Sequence, residues 1–400
     1  ARNADLFSAA LMAALSMLSK EHALLLPAAV VALTPLVRDW NRATLARAAG
    51  YLALSVPCSL WIALRRNVES LVGTAYEIYA GQVSAQIGSV DFSGGEWAMS
   101  IATQLLLFWK YLFLWFIPNP QWMSVDLRID FPALWSGMPG FVALAFSVLV
   151  LLAAGLLWLR GCFTANTLNT RLAFASALLF AAIPFVVELS VIRVQEPFVL
   201  YRSYLWMPAY ALLLTLLLLT LFKALGKMPS PWPRRSVWVI LILALASLFP
   251  LAQDRLKSFS SEAALWQDAL QKLPRPDVAG ADRIYYNLAG EAFKRKDFDE
   301  ALRYSELVVK QNPTAFQGYL ARGTSLLALR QLNAASAAFD EAERHNPPPE
   351  FLGYIESKRC AVLEIRNERD ANIACLRRSA KMGYGGAAFR LKMMGLEDTP

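Results

Sequence analysis

Over the first 253 residues the chain alternates long apolar stretches with short polar connectors. After that it changes to a periodic mixture of apolar and charged positions. A transmembrane helix needs about 20 mainly apolar residues. Stretches of this kind run over 5–19, 22–37, 50–64, 141–159, 172–192, 205–222 and 236–252. The first three are short, and Pro27 and Pro57 interrupt two of them. A weaker stretch, 98–117, carries Lys110 near its middle. The pattern predicts an all-α protein. A polytopic helical membrane domain of about seven or eight helices covers 1–253, and a water-soluble domain covers 254–400.

Lys and Arg in short loops set the orientation of such helices. Lys223, Lys227, Arg234 and Arg235 lie between the last two, and Arg160 and Arg171 mark another loop, so both loops are expected in the cytoplasm. The final helix then exits on the far side, and 118–140, 193–204 and the C-terminal domain are extracytoplasmic. Arg38, Arg42 and Arg47 also read as cytoplasmic, which puts the acidic segment 65–97 outside. Stretch 98–117 then starts and ends on one side. Either it lies in the interface, as its aromatic residues suit, or one short helix near 5–37 is miscounted.

The second part repeats. Shifting 281–314 by 34 residues matches Tyr285 with Tyr319, Ala289 with Gly323, Phe298 with Leu332, Ala301 with Ala335, Val308 with Ala342 and Pro313 with Pro347. Small residues let two helices approach closely, and Pro ends the second. This period resembles the tetratricopeptide repeat, with units 281–314 and 315–348. A looser unit, 353–381, takes Ala371 as its small residue. Segment 260–274 reads as a lone second helix that caps the array.

Composition agrees with the division. Apolar residues make up 56% of the chain and charged residues 18%, against about 25% charged in soluble globular proteins. Residues 1–253 hold 17 basic and 11 acidic residues, and residues 254–400 hold 22 and 20. A disordered chain and a purely soluble enzyme are excluded. Two histidines, His22 and His345, cannot build a multi-histidine metal site, and the four cysteines form no CxxC pair. No metal motif is present. The cofactor stays undefined, with a divalent cation open through the acidic loop residues. The near balance of charge in the second domain argues against nucleic acid. The start Ala-Arg-Asn lacks an initiator Met and reads as a fragment or processed product, N-terminally truncated.

Four segments in order carry a wider resemblance: LSKEHALLLPAAVV (18–31), TQLLLFWKYLFLWFIPNPQWMSVDLRID (103–130), EPFVLYRSYLWMPAY (196–210) and SSEAALWQDALQKLP (260–274). Together they resemble bacterial relatives of the transmembrane-and-tetratricopeptide-repeat O-mannosyltransferases, within the GT-C superfamily. The resemblance implies a polytopic transferase. It would move a sugar from a polyprenyl-phosphate carrier to a protein or glycan outside the cytoplasm, at a bacterial inner membrane, with the repeats periplasmic and recruiting the acceptor or a partner. In that superfamily an acidic residue of the first outer loop is catalytic. This chain has no early acidic pair, so that loop is expected upstream of residue 1.

Ionisable residues near hydrocarbon are costly and point to function. Lys20 could neutralise a lipid phosphate, with Glu21 orienting it and His22 beside them; all three could equally be a solvated connection. Arg202, between Tyr201 and Tyr204, offers a planar fork suited to phosphate, with Arg193 and Glu196 close by. These residues could instead be interfacial anchors. Asp126, Arg128 and Asp130 could contact sugar hydroxyls or a metal, or form a solvated loop. Glu188 lies inside an apolar helix kinked by Pro184, with Arg193 or Lys110 as potential partners or with a catalytic role of its own. The run Lys294-Arg295-Lys296 reads as a solvated turn. Cys360 and Cys375 sit where two paired helices approach, which makes a disulfide feasible.

The function expected is lipid-linked sugar transfer. The catalytic residue is undefined, and Arg202 and Lys20 are placed against the phosphate. A second reading is a non-enzymatic, membrane-anchored repeat scaffold for envelope or pilus assembly. A third is a ligase or polymerase of surface polysaccharide.

Overall fold

The computed structural model describes residues 2–19, 21–65, 73, 80–88, 95–164, 170–227 and 232–396. The chain divides into two compact units, Ala1–Leu256 and Lys257–Pro400. Among the described residues there is no strand, only an isolated antiparallel bridge between Leu127 and Phe198.

The first unit holds α1 (Arg2–Ser19), α2 (Leu26–Val37), α3 (Arg42–Arg65), α4 (Ala80–Ile87), α5 (Gly95–Phe116), α6 (Phe131–Trp135), α7 (Met138–Thr164), α8 (Thr170–Leu189), α9 (Met207–Gly226) and α10 (Trp232–Ser258). Five segments are long and apolar enough to cross a membrane: Gly95–Phe116, Met138–Phe163, Thr170–Leu189, Leu200–Gly226 and Arg235–Ser258. This unit is that of a multi-pass membrane protein.

The N-terminal stretches differ from simple crossings. Residues 22–37 do not form one span, because a 3-10 turn covers Glu21–Leu25 and α2 begins after it. Pro27 sits in the first turn of α2 rather than breaking it. That place suits proline, whose missing N–H is not needed there. Stretch 98–117 is part of a continuous 22-residue helix, α5. Around α5 lies the core of the unit: Phe108, Tyr111, Phe185, Phe198 and Trp206 are buried together, with the Tyr111 and Phe198 rings stacked at 4.1 Å. By contrast, none of the apolar window of α10 is buried within the protein. A helix apolar all round and uncovered is a lipid-facing helix.

The second unit is α11 (Glu262–Gln271), α12 (Ala281–Lys294), α13 (Phe298–Gln311), α14 (Phe316–Ala328), α15 (Leu332–Arg344), α16 (Pro349–Ile365), α17 (Arg369–Lys381) and α18 (Gly385–Met393). Ser261 caps α11 through its side chain, which accepts from Ala264 N at 3.1 Å. Helices α12 and α13, α14 and α15, and α16 and α17 pack as pairs. Each pair is joined by only three residues, which forces the partners to run antiparallel.

Burial recurs with the same spacing. In α13 the residues Ala301, Tyr304, Ser305 and Val308 are buried, and in α15 so are Ala335, Ala338, Phe339 and Ala342, each 34 positions later. In α17 the set is Asn372, Cys375, Leu376 and Ser379, a further 37 positions on. Ala371 is exposed, so the expected small contact there is one residue out of register. The net three extra residues come from α16, four residues longer than α14 at 17 against 13, less the one by which α15 is shorter than α13, at 13 against 14.

The turns repeat too. Lys296, Arg330 and Asn367 all adopt positive φ, at 66°, 61° and 60°. The residue after each closes the helix end by the same bond: Asp297 N donates to Ala292 O, Gln331 N to Leu326 O and Glu368 N to Leu363 O. This is the Schellman arrangement.

Candidate functional site

The connection between α8 and α9 is irregular from Ser190 to Val199, so its peptide groups cannot satisfy one another as a helix would. One face of α5 satisfies them instead. Trp97 Nε1 donates to Leu189 O at 3.1 Å, and Gln104 Nε2 to Pro197 O at 2.8 Å. Ser100 Oγ accepts from Arg193 N at 2.8 Å. Tyr111 OH donates to Val199 O at 3.1 Å and accepts from Val199 N at 2.7 Å. Trp115 Nε1 donates to Ser203 Oγ at 3.0 Å. At about 100° per residue, positions 97, 100, 104, 111 and 115 fall within an arc of about 60°. The stripe is written in the sequence, and a helical projection of 95–116 would have found it; an aromatic-rich apolar stretch masks it.

The segment held in this way carries charge. Glu188, in the last turn of α8, is fully buried. Arg193 Nε lies 3.1 Å and Arg202 Nη1 3.4 Å from its Oε2. Arg202 Nη1 also donates to Glu196 O at 2.9 Å, and its Nη2 is 3.9 Å from Glu196 Oε2. Two guanidinium groups therefore converge on one carboxylate. Such burial is tolerated because opposite charges are paired there.

A second buried pair adjoins the same segment. Asp126 and Arg128 meet at 2.6 Å, and Arg128 Nη1 donates to Gln195 O at 2.9 Å. The Leu127–Phe198 bridge fixes the register between the two loops. Lys110 completes the neighbourhood, its Nζ 4.9 Å from the Trp122 ring centroid and 5.4 Å from that of Phe198. Both distances suit cation–π attraction. Asp130 stands apart from this cluster as the cap of α6, accepting from Ala133 N at 3.1 Å.

The structure thus brings together Glu188, Arg193, Glu196 and Arg202, with Asp126 and Arg128 beside them. Tyr201 and Tyr204 are exposed, and Tyr204 meets the edge of Trp115 at 6.0 Å. Lys20 lies outside the described residues, as do Glu69, Glu77 and Asp91. The side chains of Glu21 and His22 also lie outside what is described, although both residues belong to the 3-10 turn. Among the described residues no group of three His, Cys, Asp or Glu could hold a metal ion.

In the second unit Cys360 and Cys375 form a disulfide, with Cα atoms 5.4 Å apart. Cys360 stands 37 positions after Gly323 and Cys375 37 after Ala338, so the bond occupies the close approach that small residues make in the preceding pair. Beside it is a cleft of about 520 Å³ lined by Asp340, Glu343, Glu356, Arg359, Arg366 and Arg378. Arg359 bridges Asp340 at 2.8 Å, Glu343 at 2.6 Å and Glu356 at 3.3 Å. Burial opposes its charge, but these carboxylates more than offset that and raise its pKa. Of the Lys294-Arg295-Lys296 run, Lys294 pairs with Glu262 and Glu291, each at 2.6 Å, and these bonds raise its pKa. Arg295 pairs with Glu300 at 2.5 Å.

No protein-family model matches this chain, and no curated protein matches it.

Proposed function

We propose that the protein is an integral-membrane glycosyltransferase of the GT-C type, which moves a sugar from a polyprenyl-phosphate carrier to a protein or glycan acceptor. One observation carries the reading. The loop between two membrane-length helices gathers Arg193, Arg202, Glu188 and Glu196 in one cluster, and of its carboxylates Glu196 reaches solvent, with its side chain 31% exposed against 0% for Glu188. In this scheme the acceptor hydroxyl attacks the anomeric carbon, its proton passes to Glu196, and the carbon–oxygen bond to phosphate breaks as polyprenyl phosphate leaves with the electron pair. Arg202 orients Glu196, and the two guanidinium groups supply the positive field that the departing phosphate requires. The second unit, read as tetratricopeptide repeats, presents the acceptor or a partner protein.

The protein sits in a bacterial inner membrane with the repeat unit outside the cytoplasm. The basic loop residues Lys223, Lys227 and Arg235 support this side, and so does the Cys360–Cys375 bond, since disulfides persist in oxidising compartments.

The test is release of polyprenyl phosphate by protein reconstituted in vesicles with polyprenyl-phosphate sugars and a Ser/Thr-rich peptide. Glu196→Gln should lower turnover by roughly 100-fold or more while donor binding persists. Undiminished turnover in Glu196→Gln overturns the assignment of the base. No transfer from any such donor overturns the enzyme and leaves the second reading, a membrane-anchored scaffold. The paired-helix array and its 520 Å³ cleft favour that alternative.

A further inference from the structure

Helices α1, α2 and α3 enclose a cleft of about 310 Å³ on helices other than those of the α8–α9 cluster. Its mouth carries Arg38, which follows the end of α2, and Arg47, in the second turn of α3. Asp5, near the start of α1, lines the same mouth. Leu6, Val30 and Val31 make part of its lining apolar. Position 47 shares a helix face with Thr44 and Tyr51, three and four residues away, and both of these also line the cleft.

The charges here behave unlike those of the α8–α9 cluster. There every arginine engages a carboxylate. Among the described residues, neither Arg38, Arg47 nor Asp5 makes an ion pair. Two guanidinium groups and one carboxylate thus line a partly apolar cleft with their charge uncommitted. The chemistry complementary to that set is a phosphate, an ammonium and a hydrocarbon chain in one molecule. Guanidinium groups bind phosphate through paired N–H donors, and a carboxylate binds a primary ammonium. Basic pockets between membrane helices are established places for lipid headgroups.

We infer that this cleft is a binding site for an aminophospholipid of the surrounding membrane. The phosphate lies between Arg38 and Arg47, the ammonium faces Asp5, and one acyl chain lies along the apolar lining of Leu6, Val30 and Val31. The site does not depend on the reading of the α8–α9 cluster.

Delipidated full-length protein in detergent provides the test, with thermal unfolding followed as ligand is added. The ligands are dioleoyl phosphatidylethanolamine, phosphatidylglycerol and phosphatidylcholine, and soluble phosphoethanolamine. Phosphatidylethanolamine should stabilise saturably, and phosphatidylcholine, whose quaternary ammonium has no N–H to donate, should do so far less. Arg38→Gln with Arg47→Gln should weaken the effect at least tenfold, on the order expected for losing charge-assisted hydrogen bonds. Asp5→Asn should abolish the preference for phosphatidylethanolamine over phosphatidylglycerol. Ala48→Leu, which fills the cleft and keeps the charges, should also lose the lipid and carries the test if the double variant does not fold. Wild-type affinity in the double variant, or in Ala48→Leu, overturns the site. Equal response to phosphatidylcholine or phosphatidylglycerol overturns recognition of the ammonium. Equal response to phosphoethanolamine alone replaces the lipid with a soluble phosphate ester.

Discussion

Single residues decide how the helix pairs turn. Lys296, Arg330 and Asn367 hold the left-handed conformation at equivalent turns, while the following turn, before α18, places Gly383 at φ 88° with the same closing bond from Tyr384 N to Ser379 O. A side chain with Cβ is strained there, by roughly 1–2 kcal/mol for most residues. Asn tolerates the conformation best of the non-glycine residues. Arg330→Gly is therefore expected to stabilise the second unit by about 0.5–1 kcal/mol, net of the greater freedom glycine gives the unfolded chain. Asn367→Gly should gain less. Urea unfolding of a 257–400 fragment measures both, and a larger gain at 367 than at 330 would contradict the account. In the other direction, Gly323 has no room for a side chain: a Cβ there would lie 2.6 Å from the Phe339 ring.

At the scale of elements, α5 acts as a polar strap for the irregular connection 190–199. Tyr111 both donates to Val199 O and accepts from Val199 N. Tyr111→Phe keeps the ring stacked on Phe198 and leaves both peptide groups of Val199 without that partner. Each orphaned buried group costs about 1–3 kcal/mol. The variant should unfold at lower temperature in detergent and be cut faster by protease within 190–199. Tyr204→Phe, at an exposed position, should behave as wild type. Equal protease resistance in the two variants would show that the strap does not hold the segment. The disulfide is the corresponding device of the second unit, tying α16 to α17 across their close approach. Its 15-residue separation gives about 3 kcal/mol by loop-closure reasoning.

For the whole molecule the open quantity is sidedness. Under the orientation rule, the charges of the 223–235 loop and the single crossing that follows predict the second unit outside the cytoplasm. Alkaline phosphatase fused after Pro400 should be active, and Cys360 and Cys375 should resist alkylation until reductant is added. A dark phosphatase with both thiols alkylated in the unreduced protein would reverse the orientation and remove the oxidising environment from the argument.

The sequence by itself determined the class of each part. Apolar length dictated the membrane helices, because a bilayer offers the backbone no partner but itself. The 34-residue period dictated where the paired helices of the second unit begin and end, because the same small and apolar residues must face each other in every pair. Pattern was not sufficient where one segment satisfies another. That Glu188 collects Arg193 and Arg202, rather than either arginine standing open to a ligand, depends on how an irregular loop folds back along α5. No period marks such a loop, and its partners lie about 90 residues away in sequence. The longer α16, with α15 one residue shorter than α13, likewise moved the third pair three residues out of the 34-residue register. The contact expected at Ala371 was therefore found at Asn372, since it is packing against the neighbouring helix, not spacing along the chain, that selects the buried face.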